Sequence, residues 1–211
     1  MIVVIEGISA AGKSTYARSL GAATWVPEFA EQGVPPGPDR PAQERAAYWI
    51  AHNERRFARA LALEAQHGFA MCDTDPFKSH YDWCMARAGF TTMDVFEAAM
   101  PMARESFAAG RLGFADLYMV KRIEPEVARR QKEGDPTRTR RRFEMHLALQ
   151  PHLINWFEAL AKVLPGQVEF GFRDQEALLD QLKNGKLDAN PLRFCAAAFD
   201  RMYERLEVLS A

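Results

Sequence analysis

The sequence is poor in cysteine. Its three cysteines, Cys72, Cys84 and Cys195, are odd in number and form no C-x-x-C pair, which argues against a disulfide framework or a zinc site and for a reducing, cytoplasmic setting. No apolar run approaches the roughly 20 residues of a membrane helix, so no membrane partner is expected. Residues 1–6 lack a basic leader and a small-residue cleavage site, and read as a buried strand rather than an export signal. A strong net charge is also missing: 27 Lys and Arg against 28 Asp and Glu leave −1, which argues against a general nucleic-acid binder. The five histidines show no metal-ligand spacing. There is no internal repeat, no low-complexity tract and no sign of a second domain, so residues 1–211 read as one unit.

Short, β-prone apolar segments at 2–6, 24–26, 69–72, 115–120 and 168–172 alternate with helical stretches. This pattern predicts a five-stranded parallel sheet covered by helices on both faces, in the order 2-3-1-4-5. Helices are expected over 13–20, 43–67, 94–109, 125–133, 143–164 and 191–209. Asp94 and Glu97 have the spacing of a capping box. Pro101 should kink its helix, and Pro151 should bend or break the one that contains it. Pro125 suits a first helical turn. The last helix could pack on the core or pair with a second copy as a homodimer. The Pro- and Gly-rich stretch 33–41 must be a loop.

The strongest signal is Gly7-Ile8-Ser9-Ala10-Ala11-Gly12-Lys13-Ser14, which fits G-x-x-x-x-G-K-[ST] at every fixed position, with a strand before it and a helix after it. Glycines at the two ends let the backbone turn N–H groups into a concave nest for phosphate oxygens. The following helix adds its positive end. Ser9, Ala10, Ala11 and Thr15 are candidate phosphate contacts, Lys13 can reach the β- and γ-phosphates, and Ser14 can ligate Mg²⁺. The expected cofactors are therefore ATP and Mg²⁺.

Asp73, in Cys72-Asp73-Thr74-Asp75, falls at the end of the third strand, and in an open parallel sheet ligands gather at strand C-termini. A carboxylate there can organise Mg²⁺ or accept a proton from a substrate hydroxyl; Asp75 is a candidate substrate contact beside it. Glu28, after the second strand, is a candidate for acceptor hydroxyls, and Tyr81 for stacking on a planar acceptor. Trp49, His52 and Arg56 lie on the long second helix, beside the expected acceptor pocket, whereas His80 reads as an ordinary solvated histidine. Residues 121–142 hold nine Lys or Arg residues around a break at Gly134-Asp135-Pro136. They suggest a basic lid over about 125–142, with Arg129 and Arg138 as candidates to stabilise the transferring phosphoryl group.

The motif at 7–14, Pro27-Glu28-Phe29-Ala30, Cys72-Asp73-Thr74-Asp75 and the basic segment together resemble the nucleoside and nucleotide kinase group of P-loop proteins, above all the ribosylnicotinamide kinase-like ATPase domains. The resemblance runs over about residues 1–165 and departs where Glu31 follows Ala30 in place of an arginine. It implies a base or Mg²⁺ organiser at Asp73 and an acceptor contact at Glu28. There is also a general similarity to P-loop phosphotransferases that modify antibiotics. The expected activity is ATP-dependent phosphorylation of a hydroxyl on a nucleoside-like or sugar-bearing small molecule. The rivals are a nucleoside monophosphate kinase and an ATPase switch that binds a partner protein. The chain lacks the Asn-Lys-x-Asp segment of a guanine-reading GTPase.

Overall fold

A computed structural model describes residues 1–28, 34–134 and 142–210. The elements run β1 (Ile2–Gly7), α1 (Lys13–Ser19), a 3₁₀ turn (Ala22–Thr24), β2 (Trp25–Val26), α2 (Ala42–His67), β3 (Ala70–Asp73), α3 (His80–Arg87), α4 (Asp94–Ala108), β4 (Leu117–Lys121), α5 (Pro125–Glu133), α6 (Phe143–Val163), β5 (Val168–Phe170), α7 (Gln175–Lys183) and α8 (Ala196–Ser210). The strands form one parallel sheet in the order β2-β3-β1-β4-β5. This is an α/β fold with β1 between β3 and β4.

Strand geometry explains the two-sided core. Side chains alternate between the faces of a sheet, so Ile2 and Val4 join Ala70, Cys72, Tyr118 and Val120 on one side. Val3 and Ile5 join Met71, Leu117 and Met119 on the other. The first face carries the larger core, where Trp83, Phe107, Trp156, Phe157 and Phe199 from α3, α4, α6 and α8 pack together. The second is covered by α1 through Tyr16 and Ala17 and by α7 through Leu178 and Leu182. A strand apolar on both faces cannot sit at an exposed edge of the sheet. The fully buried β1 therefore takes the centre, and the loop after it opens at the middle of the sheet's C-terminal edge.

Several expectations need correction. Met93 is the N-cap of α4, with no side-chain cap bond. Asp94 is already inside the helix, where its carboxylate accepts from the Thr92 hydroxyl, so no capping box forms. Helix α6 is continuous through Pro151. Leu149, Leu153, Ile154, Trp156 and Phe157 bury its apolar face on both sides of the proline, and that packing outweighs one missing backbone bond. Helix α8 starts at Ala196 rather than near 191. The residues before it are held in turns: Asn190 N–H donates to Asp116 Oδ1 at 2.7 Å and Leu192 N–H to Asn190 Oδ1 at 2.9 Å. Helices α3 and α7 lie outside the helical spans that periodicity predicts. Among the described residues no helix is long and apolar enough to cross a membrane.

Candidate functional site

The loop between β1 and α1 has the backbone that its glycines predict. Gly7 (φ 147°), Ala10 (φ 68°) and Gly12 (φ 87°) all take positive φ. At Gly7 the constraint is also spatial, because a Cβ would lie 3.0 Å from the Lys121 carbonyl and 3.1 Å from Ala11 Cβ. With Gly12 as its N-cap, α1 starts at Lys13 with no side-chain cap, which leaves its first N–H groups free for an anion. The Lys13 ammonium folds over the loop and donates to the carbonyls of Gly7 at 2.7 Å and Ile8 at 3.4 Å.

Ser14 Oγ donates to Asp73 Oδ2 at 2.6 Å. Asp73 is only 3 % exposed, and its other oxygen, Oδ1, is buried without a hydrogen-bond partner. An acceptor left orphaned in this way calls for a donor or a cation. Mg²⁺ fits the donor set. It takes hard oxygen ligands, usually one or two from protein with the rest from phosphate and water, and Ser14 with Asp73 offers that arrangement. Among the described residues no group of three or more His, Cys, Asp or Glu forms a metal cage.

The loop opens into a cavity of about 880 Å³. Gly7 to Thr15 line one end. Glu6, Glu28, Arg45, Trp49, His52, Lys78, Tyr81, Asp82, Arg142 and His146 are among the residues that line the rest, with Ile50, Ala99, Leu149 and Leu153 as apolar wall. Glu28 pairs with the Lys78 ammonium, which also lies 5.3 Å from the centre of the Tyr81 ring. Burial pushes the Glu28 carboxyl up, but Lys78, Lys13 and Arg56 outweigh it and hold it at about 2. Asp82 behaves oppositely: burial raises it to about 6 against Arg45 and Lys78. Burial also raises Glu6, whose carboxylate accepts from Gly7 N–H at 2.9 Å and Asp75 N–H at 3.1 Å. His80, expected to be solvated, is 3 % exposed, and burial lowers it to about 3.

The structure thus gathers Gly7, Ser9, Ala10, Ala11, Gly12, Lys13, Ser14, Thr15, Glu28 and Tyr81 around one cavity, together with Trp49 and His52. Asp73 stands behind Ser14 rather than in the cavity wall. Asp75 does not reach the cavity either. It is 1 % exposed, burial raises it well above the carboxylate range, and it accepts from Phe77 N–H at 3.0 Å, so here it closes a turn. Arg129 points elsewhere, pairing with Glu144 at 3.0 Å and Glu126 at 3.8 Å on the surface. Arg56 is buried beneath the cavity. Arg138, Phe29, Ala30 and Glu31 lie outside the described residues. Sequence reading did not single out Glu6, Lys78, Asp82 or His146. Asp82 lies on α3, whose eight residues give little periodicity to detect, and Lys78 lies in the turn just before it. Arg142 was one of a basic run and is the described member of it that lines the cavity.

No protein-family model matches this sequence, and no curated protein is similar to it. Among solved structures 27 chains are similar. One is the crystal structure of EHV4-TK, a thymidine kinase, complexed with TP4A; it has a TM-score of 0.47 and 16 % identity, over 96 % of this chain and 67 % of that one. Likeness at this level leaves the chemistry to the geometry of the site, and the narrower resemblance to ribosylnicotinamide kinase-like domains gains nothing from it.

Proposed function

We propose that this chain is an ATP- and Mg²⁺-dependent kinase that transfers the γ-phosphoryl group to a hydroxyl of a small nucleoside-like or sugar-bearing acceptor. One observation carries the reading: the phosphate loop, with Lys13 and the Ser14–Asp73 pair, opens into the same cavity that the Glu28 carboxylate faces. Its volume of about 880 Å³ lies within the range of small-molecule sites.

In this reading the Lys13 ammonium leaves the Gly7 and Ile8 carbonyls for the β- and γ-phosphate oxygens. Bound at Ser14 and Asp73, Mg²⁺ would neutralise charge developing on those oxygens. Asp73, held behind Ser14 by their hydrogen bond, would serve the metal side. Glu28 is the carboxylate placed to receive an acceptor hydroxyl. The acceptor oxygen bonds to the γ-phosphorus, the bond from that phosphorus to the β,γ-bridging oxygen breaks, ADP leaves, and the hydroxyl proton passes to Glu28. A weakly basic carboxylate suffices, because phosphoryl transfer passes through a loose transition state that asks mainly for orientation. Arg142, which lines the cavity, would serve as the cation facing the transferring group.

Arg45 and Arg142 in the cavity favour a second reading, a nucleoside monophosphate kinase with an anionic acceptor. Glu28, Asp82 and Glu6 offset those charges and favour a neutral one. The test is ADP release by purified protein with MgATP, with and without nucleosides, nucleotides and hydroxylated antibiotics. Stimulation by a nucleoside-like acceptor is the expected result. Stimulation by nucleotides alone selects the second reading, and turnover that no acceptor stimulates selects the partner-binding switch.

A further inference from the structure

Arg56 is a buried charge without a carboxylate partner. It projects from α2 with 1 % exposure, and among the described residues it forms no ion pair. Instead its guanidinium donates to four backbone carbonyls. Nε reaches Pro27 O at 3.1 Å, Nη1 reaches Asp75 O at 2.9 Å, and Nη2 reaches Asp73 O at 2.9 Å and Thr74 O at 2.8 Å. Pro27 immediately precedes Glu28. Residues 73–75 carry Asp73 and form the turn at the end of β3. One planar fork therefore joins the strand end that presents the acceptor-side carboxylate to the strand end that presents the metal-side carboxylate.

The turn needs holding. Thr74 sits at φ 73°, a conformation that a β-branched residue adopts only under constraint. Its N–H donates to Ile5 O at 3.0 Å, and Arg56 draws in the carbonyls of Thr74 and both its neighbours. A lysine could not replace this arrangement, because its donors radiate from a single atom while the arginine fork spreads its own over three nitrogens in a plane.

We infer that Arg56 is a positioning residue: it clamps the ends of β2 and β3 and sets Glu28 opposite the Ser14–Asp73 pair without touching either reactant. For catalysis this rests on the phosphoryl-transfer reading above. The test is a cycle of Arg56→Lys, Thr74→Gly and the double variant, with kcat, KM for ATP and melting temperature measured for each. Glycine adopts the left-handed turn without strain, so it relieves the need for the clamp. In Arg56→Lys, kcat should fall by roughly tenfold to a hundredfold, as displaced catalytic groups do, while KM for ATP changes by less than about threefold. Adding Thr74→Gly should restore at least about threefold of that loss.

A folded Arg56→Lys protein with wild-type kcat overturns the inference. So does a kcat loss that Thr74→Gly leaves untouched, or a KM that worsens in step with kcat. If Arg56→Lys alone does not fold, a folded, active double variant supports the clamp and an unfolded one refutes it. If wild-type protein transfers no phosphoryl group, the functional reading falls and the melting temperatures decide the clamp: non-additive effects of the two substitutions support it, additive effects refute it.

Discussion

Replacing Lys78 by Met should move both the acid limit of activity and the pH dependence of stability. Lys78 is the strongest of the cations that pull the Glu28 carboxyl down to about 2 from an ordinary 4.5. Without it, burial is opposed only by Lys13 and Arg56, and the group should return to the ordinary range or above. At about 1.4 kcal/mol per pH unit the present gap is worth roughly 3 kcal/mol. A third of the Glu28 side chain is exposed, and solvent screening reduces this to about 1–2 kcal/mol. The sign follows from the lowered value. A depressed carboxyl stabilises the fold above its unfolded pKa and ceases to do so as pH falls toward its folded one. The cost of Lys78→Met should therefore be full at pH 7 and less than half as large at pH 3. Urea denaturation at both pH values measures it, and kcat/KM between pH 4 and 8 should gain an acid limb that the wild type lacks there. An equal stability cost at the two pH values, together with an unmoved acid limb, would refute the electrostatic account of Glu28.

Lys13→Ala should lower phosphoryl transfer by at least about a hundredfold, since it removes the cation at the phosphate loop, while circular dichroism shows an intact fold; near-wild-type turnover contradicts the phosphate assignment. Asp73→Asn should reduce kcat far more than ATP affinity, read as kcat against the Kd of an ATP analogue, and equal losses indicate a structural role. Gly7→Ala places a methyl 3.0 Å from the Lys121 carbonyl at a backbone angle of 147°, and should weaken nucleotide binding in titration calorimetry. Trp156→Ala empties a 1 %-exposed site in the larger core and should cost about 3–5 kcal/mol in urea denaturation.

Much of this architecture was readable because it is written in local patterns. The alternation of apolar segments with helical stretches predicts the sheet, and the fully apolar run 2–5 predicts the central strand. The loop at 7–14 is a contiguous motif, and its positive-φ turns fall on Gly7 and Gly12 and, without a glycine to mark it, on Ala10. What was not readable depends on neighbours distant in the chain. Lys78 and Asp82 become cavity residues only because the turn before α3 and α3 itself bring them beside Glu28 and Arg45. Arg56 reads, with Trp49 and His52, as a residue beside the acceptor pocket, and its burial under two strand ends has no local signature. Asp75 would share a side with Asp73 if the strand ran on, yet β3 ends at Asp73 and the left-handed turn at Thr74 sends the two side chains into different surroundings.

The contacts of Lys13 bear on how ligand binding would proceed. The ammonium already rests on two loop carbonyls, so arriving phosphate oxygens would exchange one set of acceptors for another instead of rescuing a bare charge. The concave amides are in place beforehand, held by the positive φ angles at Gly7, Ala10 and Gly12. Loading the loop then asks for one side chain to swing while the backbone stays still. The gain in affinity from that lysine should be correspondingly modest, and its larger contribution should emerge only as negative charge builds during transfer.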